Sequence, residues 1–409
     1  MSYIDLKYET DKNDLICLFR IEPEKRISMK QAAEDVAAES SIGTWVDVST
    51  MKPKIKKLGA KVFEIKGNFV KIAYPLELFE QGNMSQILSS IAGNIFGMKA
   101  VKNLRLEDVD WPESIVRSFK GPLYGIDGIR KLLKVQKRPL CGTIVKPKLG
   151  LNEEEHAKVA YDAWIGGMDI VKDDENLSSL SFNKFEKRII ETLKMRDEAE
   201  KETGEKKIYM PNVTAEIDTM LERANFVKEA GGEYVMVDII TTGWSALQNL
   251  RNANDDLRLV LHAHRAGHAA ITKNPKHGIS MKVIALVTRL IGLDQLHIGT
   301  AVGKMFETKK EVLENCNALT KEMYNLNKVM PVASGGLHAG MIPKLIDIFG
   351  NDFIAQFGGG CHWNPKGTRC GAMGIRQAID ASVKNIPLKE YAKTHKELAD
   401  SIKKFGIIK

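Results

Sequence analysis

Several things are scarce in this 409-residue chain, and each scarcity closes off a class of protein. The five cysteines (Cys17, Cys141, Cys316, Cys361, Cys370) are odd in number, scattered and free of the paired spacing of a structural zinc site. They read as reduced thiols, mostly core filler. No uninterrupted apolar run is long enough to span a bilayer and the mean hydropathy is -0.21, so a membrane protein is not expected. Met1 to Thr10 is polar and acidic where a signal peptide needs a charged head and an apolar stretch, so a cytoplasmic protein is expected. Aromatics are only 7%, yet 44% apolar and 27% charged residues suffice for a large core. A surplus of one charge is also nearly missing from the body of the chain. The net charge is +8, and a surplus of four lies in the tail from Lys384 to Lys409, where seven lysines face Glu390, Glu397 and Asp400. That tail reads as a solvated amphipathic helix end, and the even spread of charge elsewhere leaves no footprint for nucleic acid.

What is present is a repeat. Beyond residue 138, a short β-branched apolar run ending in polar or glycine residues is followed by a stretch of helical period, eight times over. The runs are Leu140 to Val145, Asp169 to Val171, Lys207 to Met210, Tyr234 to Ile240, Leu257 to Leu261, Gln295 to Ile298, Val329 to Ala333 and Phe353 to Phe357. Their polar ends, Lys146, Lys172, Asn212, Asp238, His264, His297, Ser334 and Gly358, lie 24 to 40 residues apart, room for one strand, one helix and two loops. Phe185, Ile189 and Leu193 form an apolar helical stripe, as do Val283, Val287 and Ile291. The fold class is therefore α/β, with a closed (β/α)8 TIM barrel and a C-terminal helical tail over 129–409. Residues 1–128 lack the repeat. Leu15 to Ile21, the hairpin Lys61 to Ile65 with Phe69 to Tyr74, and helices over Ile27 to Ala38 and Met84 to Ile91 predict a separate α+β, ferredoxin-like domain. A glycine-rich linker is expected near Phe119 to Ile129.

In a barrel, catalytic groups sit at the C-terminal strand ends, which is where the polar residues fall. The second strand carries Asp174 and Glu175, hard oxygen ligands suited to Mg2+, but two carboxylates alone make a weak site. Lys172 beside them cannot ligate as an ammonium; it either offsets the acids or is chemically converted. Lys146 and Lys148 follow the first strand, His264 and Arg265 the fifth, and His297 the sixth, with Lys304 on the loop beyond. Ser334, Gly335 and Gly336 end the seventh strand, and Gln356, Phe357, Gly358 and Gly359 the eighth. Glycines there let backbone N–H groups approach a phosphate, while Arg265, His297 and Ser334 could hold a second anion. Two separated anion sites with a cation between them fit a small sugar bisphosphate.

These residues resemble a known family. GTIVKPKLGL (142–151), GGMDIVKDDEN (166–176), HAHRAGHAA (262–270), HIGTAVGKM (297–305), ASGG (333–336) and QFGGG (356–360) are similar to the large subunit of ribulose-1,5-bisphosphate carboxylase/oxygenase, RuBisCO, as are AAESSIGTW (37–45) and GNIFGMKA (93–100). The resemblance covers nearly the whole chain in order. It implies carboxylation of ribulose 1,5-bisphosphate by CO2, with O2 as a side substrate, in a homodimer or ring of dimers whose N-terminal domains complete the partner's sites. It further implies that CO2 converts Lys172 to a carbamate that joins Asp174 and Glu175 around Mg2+, and that a carbamate oxygen takes the C3 proton. Lys146 would be the final proton donor, His264 a later acid/base, Lys148 an orienting group, and Lys304 the loop residue that stabilises the new carboxylate. Arg265, His297 and Ser334 would hold one phosphate; Thr44, Trp45, Gly336, Gly358 and Gly359 the other. Glu39 would pair with the loop lysine, and Asn94 contact the metal or CO2 side.

Three places depart from the commonest pattern: Met305, Phe306 and Glu307 after Lys304; Gly267 where a bulkier residue is usual; and Cys361, His362 and Trp363 after the triple glycine. The loop and short C-terminus look most similar to archaeal-type (form III) members, so no small subunit is expected. A RuBisCO-like enolase or isomerase that enolises a phosphorylated sugar without adding CO2 is the alternative.

Overall fold

The computed structural model describes residues 2–43, 46, 48–303 and 306–408, so Thr44, Trp45 and Lys304 lie outside the described residues. The chain divides into two compact units, Met1–Lys120 with Gly267–Ile291 and Met323–Asn325, and Gly121–Ala266 with Gly292–Glu322 and Leu326–Lys409.

In the first unit, Leu15–Pro23 buries every second residue, Leu15, Cys17, Phe19 and Ile21, which is the pattern of a strand with one covered face. It pairs antiparallel with Phe69–Tyr74 and with Val101–Asp110, and Lys61–Lys66 pairs with Phe69–Tyr74. The order fourth, first, third, second is the ferredoxin-like arrangement, with Gly278–Ile279 added in parallel at the edge. Helix Met29–Glu39 is capped by Ser28, whose Oγ accepts from Gln31 N at 3.1 Å, and it buries Ala32, Ala33, Val36 and Ala37. Helix Met84–Ile91 spans the predicted residues and is capped by Asn83. Val101–Asp110 escaped the sequence reading because charged residues interrupt its alternation. One of them, Arg105, is buried and donates to the carbonyls of Thr272 and Asn274 at 3.0 and 2.7 Å.

The second unit contains the eight predicted strands as one parallel sheet: Leu140–Ile144, Ile170–Lys172, Ile208–Met210, Tyr234–Asp238, Val260–His264, Gln295–Gly299, Met330–Ser334 and Ile354–Phe357. As barrel strands one to eight they follow the order 3-2-1-8-7-6-5-4. The third and fourth are joined by the Asn212 and Met236 bridge, where Val213 N donates to Met236 O at 2.9 Å and Met236 N to Pro211 O at 2.8 Å. The sheet thus closes on itself. The fourth strand stops at Asp238, two residues short of the predicted run, because Ile239–Thr242 turns helical.

Part of the stretch read as linker is also helical. Gly125–Leu133 plugs the N-terminal end of the barrel, with Ile126, Ile129 and Leu133 in one cluster with Leu140, Ile170, Ile208, Tyr234, Val260, Met330 and Ile354. Asp294 pins that plug: its carboxylate accepts from Tyr124 N at 2.7 Å, Gly125 N at 3.0 Å and Leu261 N at 3.0 Å. The N-terminal end of the barrel is thus filled, and the polar residues lie at the other ends of the strands. All five cysteines are free, as expected. Among the described residues no helix is long and apolar enough to cross a membrane.

Candidate active site

Three acids follow Lys172, and the chain leaving the strand there sends them to different places. Lys172 points into the barrel and is fully buried. Its Nζ donates to the Asp173 carbonyl at 2.8 Å, lies 3.2 Å from Met236 Sδ, and stands 3.8 Å from Glu175 Oε2. Burial holds its pKa below the ordinary lysine value despite the opposing pull of Glu175, Asp174, Asp238 and Asp173. Asp173 turns outward, where Arg188 Nε (3.1 Å), the Tyr209 hydroxyl (2.7 Å) and Asn212 N (3.0 Å) donate to it, and His156 Nε2 lies 3.1 Å away. Asp174 and Glu175 face the barrel mouth. Asp174 Oδ2 accepts from Lys146 Nζ at 2.6 Å, and Glu175 Oε2 lies 3.6 Å from His264 Nε2. Burial would raise the Glu175 carboxyl, but Lys172 and His264 hold it below the usual carboxylate value.

The fifth and sixth strands supply imidazoles, and the fourth a carboxylate. Asp238 and His264 are register partners, and His264 Nδ1 lies 2.7 Å from Asp238 Oδ1. That carboxylate keeps the proton on Nδ1 and leaves Nε2 turned to Glu175. Beneath it runs a buried chain: Gln295 Oε1 to His262 Nδ1 at 2.8 Å, His262 Nε2 to His297 Nε2 at 2.9 Å, and His297 Nδ1 to Ser334 Oγ at 2.6 Å. Burial lowers the pKa of both His262 and His297 well below the ordinary imidazole value. The rings of His264 and His297 meet edge to face at 4.8 Å, joining the chain to the carboxylates.

The elements expected to hold anions border this cluster. Gly335 and Gly336 have φ of 117° and 72°, backbone that a side chain would strain. A Cβ built on Gly358 would meet only Lys146 Cε at 3.8 Å, and one on Gly359 nothing within 4 Å, so both present bare backbone to open space. Gln356 lies buried over Gly142, and its amide nitrogen and oxygen have no partner among the described residues. The His362 departure has a structural reason. Its ring contacts the Ile144 carbonyl at 2.8 Å, Thr143 Oγ1 at 3.1 Å and Thr368 Oγ1 at 2.9 Å, tying the glycine loop to the first strand. Burial lowers its pKa to about 4, so it holds the loop as a neutral ring.

The rim therefore brings together Lys146, Lys172, Asp174, Glu175, His264, His297 and Ser334, with Arg265, Gln356 and the glycines on the same strand ends. Lys148 stands at the exposed edge, bonded to Asn176 Oδ1 at 3.1 Å rather than to Lys172. Glu39, at the end of its helix, and Asn94, in the turn Asn94–Gly97, belong to the first unit. The sequence reading gave no role to Asp238, which ends the fourth strand, or to His262, in the middle of the fifth. Among the described residues no three His, Cys, Asp or Glu side chains gather as a ready metal site. Asp174 and Glu175 offer hard oxygens beside the Lys172 amine, which is one anionic donor short of a firm cation site.

Comparison with known proteins is consistent along the chain. The profile of the ribulose bisphosphate carboxylase large chain, catalytic domain, matches residues 125–405, and that of the N-terminal domain matches residues 2–115. A ribulose bisphosphate carboxylase of Methanosarcina mazei is 51% identical over 421 residues, covering 98% of each chain. One from Pyrococcus furiosus is 48% identical over 413 residues, covering 100% of this chain and 98% of its own. The octameric ribulose-1,5-bisphosphate carboxylase/oxygenase of Pyrococcus horikoshii OT3 superposes with a TM-score of 0.96 at 47% identity, covering 100% of this chain and 97% of that one. A dimeric archaeal Rubisco from Hyperthermus butylicus gives 0.93 at 44% identity, with 99% of each chain covered.

Proposed function

The chain belongs to the ribulose bisphosphate carboxylase large-chain family, and on that premise we propose how its rim residues divide the work of adding CO2 to ribulose 1,5-bisphosphate. The enzyme is a carbon–carbon lyase of archaeal type, yielding two molecules of 3-phosphoglycerate. The observation that carries the assignment of roles is the contact chain from Lys146 through Asp174 and from Lys172 through Glu175 to His264, all on one barrel mouth.

The family has a usual metal cofactor, and the donor set here suits a hard divalent cation once Lys172 is converted. The neutral Lys172 nitrogen attacks the carbon of CO2, forming an N–C bond; one C=O pair becomes an oxyanion and an N–H proton leaves to solvent. Burial favours the neutral amine that this requires. Asp174, Glu175 and the carbamate would then hold Mg2+. When bound, the cation and carbamate supply a Lewis acid at the sugar oxygens and an oxygen base for the C3 proton.

The remaining roles fall to side chains. Lys146 Nζ carries the proton delivered at the end to the C2 carbanion left by cleavage of the C2–C3 bond. His264, its Nδ1 proton held by Asp238, exchanges a proton through Nε2 with a substrate hydroxyl. Arg265, His297 and Ser334 hold one phosphate, and the backbone of Gly336, Gly358 and Gly359 the other, with Gln356 and Gly335 lining the space between. Lys148 orients the substrate from the edge. Thr44, Trp45 and Lys304 keep the roles implied by the resemblance. The superposed relatives are an octamer and a dimer, and we assign this chain to a homo-oligomer without small subunits in which Glu39 and Asn94 serve the neighbouring copy's site.

Incubation with ribulose bisphosphate, Mg2+ and labelled bicarbonate is expected to place label in 3-phosphoglycerate. Unlabelled product of a rearranged sugar would instead identify an isomerase. Within the site, Asp238→Asn is expected to lower kcat by up to about 100-fold, because the amide no longer enforces the Nδ1 proton of His264. KM for the bisphosphate should stay within about twofold in steady-state assays. A rise in KM with kcat intact would show that Asp238 serves substrate binding instead.

A further inference from the structure

Arg265 is already engaged by a carboxylate. Its Nη2 lies 2.6 Å from Glu307 Oε1, and the two side chains are only 6% and 3% exposed. The geometry around the pair is built rather than incidental. Glu307 immediately precedes Thr308, the N-cap of helix Lys309–Thr320, where Thr308 and Glu311 form a reciprocal capping box. The start of that helix therefore holds the backbone of Glu307 in place. Gly299, at the end of the sixth barrel strand, makes room for the pair. A Cβ there would stand 3.4 Å from Arg265 Nη2, 3.6 Å from Glu307 Cδ and 3.1 Å from Val312 Cγ2, on backbone at φ 96° that resists a side chain. The guanidinium is not saturated, since its buried Nη1 has no partner among the described residues.

We propose that Glu307 is an internal competitor for the substrate phosphate, occupying Arg265 in the free enzyme and lowering the affinity of this anion subsite. The inference rests on the assignment of Arg265 to a phosphate and goes beyond it, by giving the affinity of the subsite to a residue on the loop after the adjacent strand. A carboxylate and a phosphate use the same guanidinium edge, but a phosphate can also satisfy Nη1, as a bidentate ligand does. Binding is therefore an exchange: the Nη2 to Glu307 contact breaks, the phosphate oxygens take both nitrogens, and the released carboxylate is hydrated. No bond other than hydrogen bonds changes. Glu307 is one of the positions where this chain departs from the commonest loop pattern, so the competitor is a property of this sequence rather than of the rim as a whole.

The probe is inorganic phosphate, followed by phosphorus NMR titration of the full-length enzyme, together with KM for ribulose bisphosphate. Glu307→Gln keeps the shape and removes the charge. It is expected to tighten phosphate about tenfold and to lower KM in proportion. Glu307→Asp, with the carboxylate withdrawn by one methylene, should move both values the same way by less. A structural salt bridge alone cannot produce tighter binding on its removal. Arg265→Met distinguishes the layers of the argument. If it weakens phosphate at least about tenfold while Glu307→Gln and Glu307→Asp leave affinity unchanged or weaker, Arg265 holds phosphate and the competitor role is wrong. If Arg265→Met leaves phosphate affinity untouched, the assignment of Arg265 falls and the competitor with it.

Discussion

Lys172→Met is expected to abolish carboxylation, by at least about 10³-fold, in a protein that still folds. The side chain is fully buried, and among the described residues Nζ has only a carbonyl oxygen and a thioether within bonding distance; Glu175 stands back at 3.8 Å. A buried ammonium with so few partners is a poor structural device, because desolvation opposes its charged form and no carboxylate is close enough to offset that fully. Methionine has nearly the same length, no charge, and already has a thioether neighbour in Met236, so packing changes little. On the proposed role, the variant loses the nitrogen that would take up CO2, and with it the third anionic oxygen that Asp174 and Glu175 lack. Intact-mass measurement after trapping with CO2 and Mg2+ should show one added CO2 on the parent and none on the variant, a readout independent of turnover. Retention of more than about a tenth of the parent rate would mean that the two carboxylates hold the cation unaided.

The barrel was legible because its signal is repeated. Eight apolar runs at regular spacing survive errors of one or two residues at each end, as at Val260–His264, where the run was read three residues early. The rim was legible for the same reason: once the strand ends are known, the polar residues there must share one mouth. Pairings between side chains were not. His264 with Asp238, His297 with His262 and Arg265 with Glu307 join neighbouring strands or the loops after them, and linear order carries no mark of which partner each ring or guanidinium takes. Val101–Asp110 and Gly125–Leu133 were missed for local reasons, a buried arginine in the first and two glycines in the second, each of which reads as a break until its tertiary partners are known.

The run Asp173, Asp174, Glu175 shows how far one strand end can divide chemistry from architecture, and Asp173→Ala tests the architectural side. Its two neighbours face the mouth, whereas Asp173 faces Arg188 on helix Phe185–Thr203 and His156 on helix Glu153–Ile165, with both Asp173 and Arg188 fully buried. Removing the carboxylate strands a buried guanidinium whose other contacts are the Ser178 carbonyl and Asn183 Oδ1, and a loss of about 3–5 kcal/mol is expected in urea unfolding of the barrel. The pH dependence has a definite sign. Burial acts to raise the Asp173 carboxyl, but Arg188, His156 and Tyr209 outweigh it and depress the pKa to about 2. A carboxylate depressed in the folded state stabilises it above the unfolded pKa of about 4, and that contribution is lost as pH falls toward 2. The parent should thus lose roughly 2 kcal/mol across that window through this group, and Asp173→Asn should be flatter there. Equal acid sensitivity in the two proteins would assign the stability to the helices around Asp173 rather than to its charge. Because Asp173 N also donates to Met210 O at 3.1 Å, the same network holds the backbone from which Asp174 and Glu175 project. Carboxylation should therefore fall with stability in Asp173→Ala, while Lys172→Met separates the two.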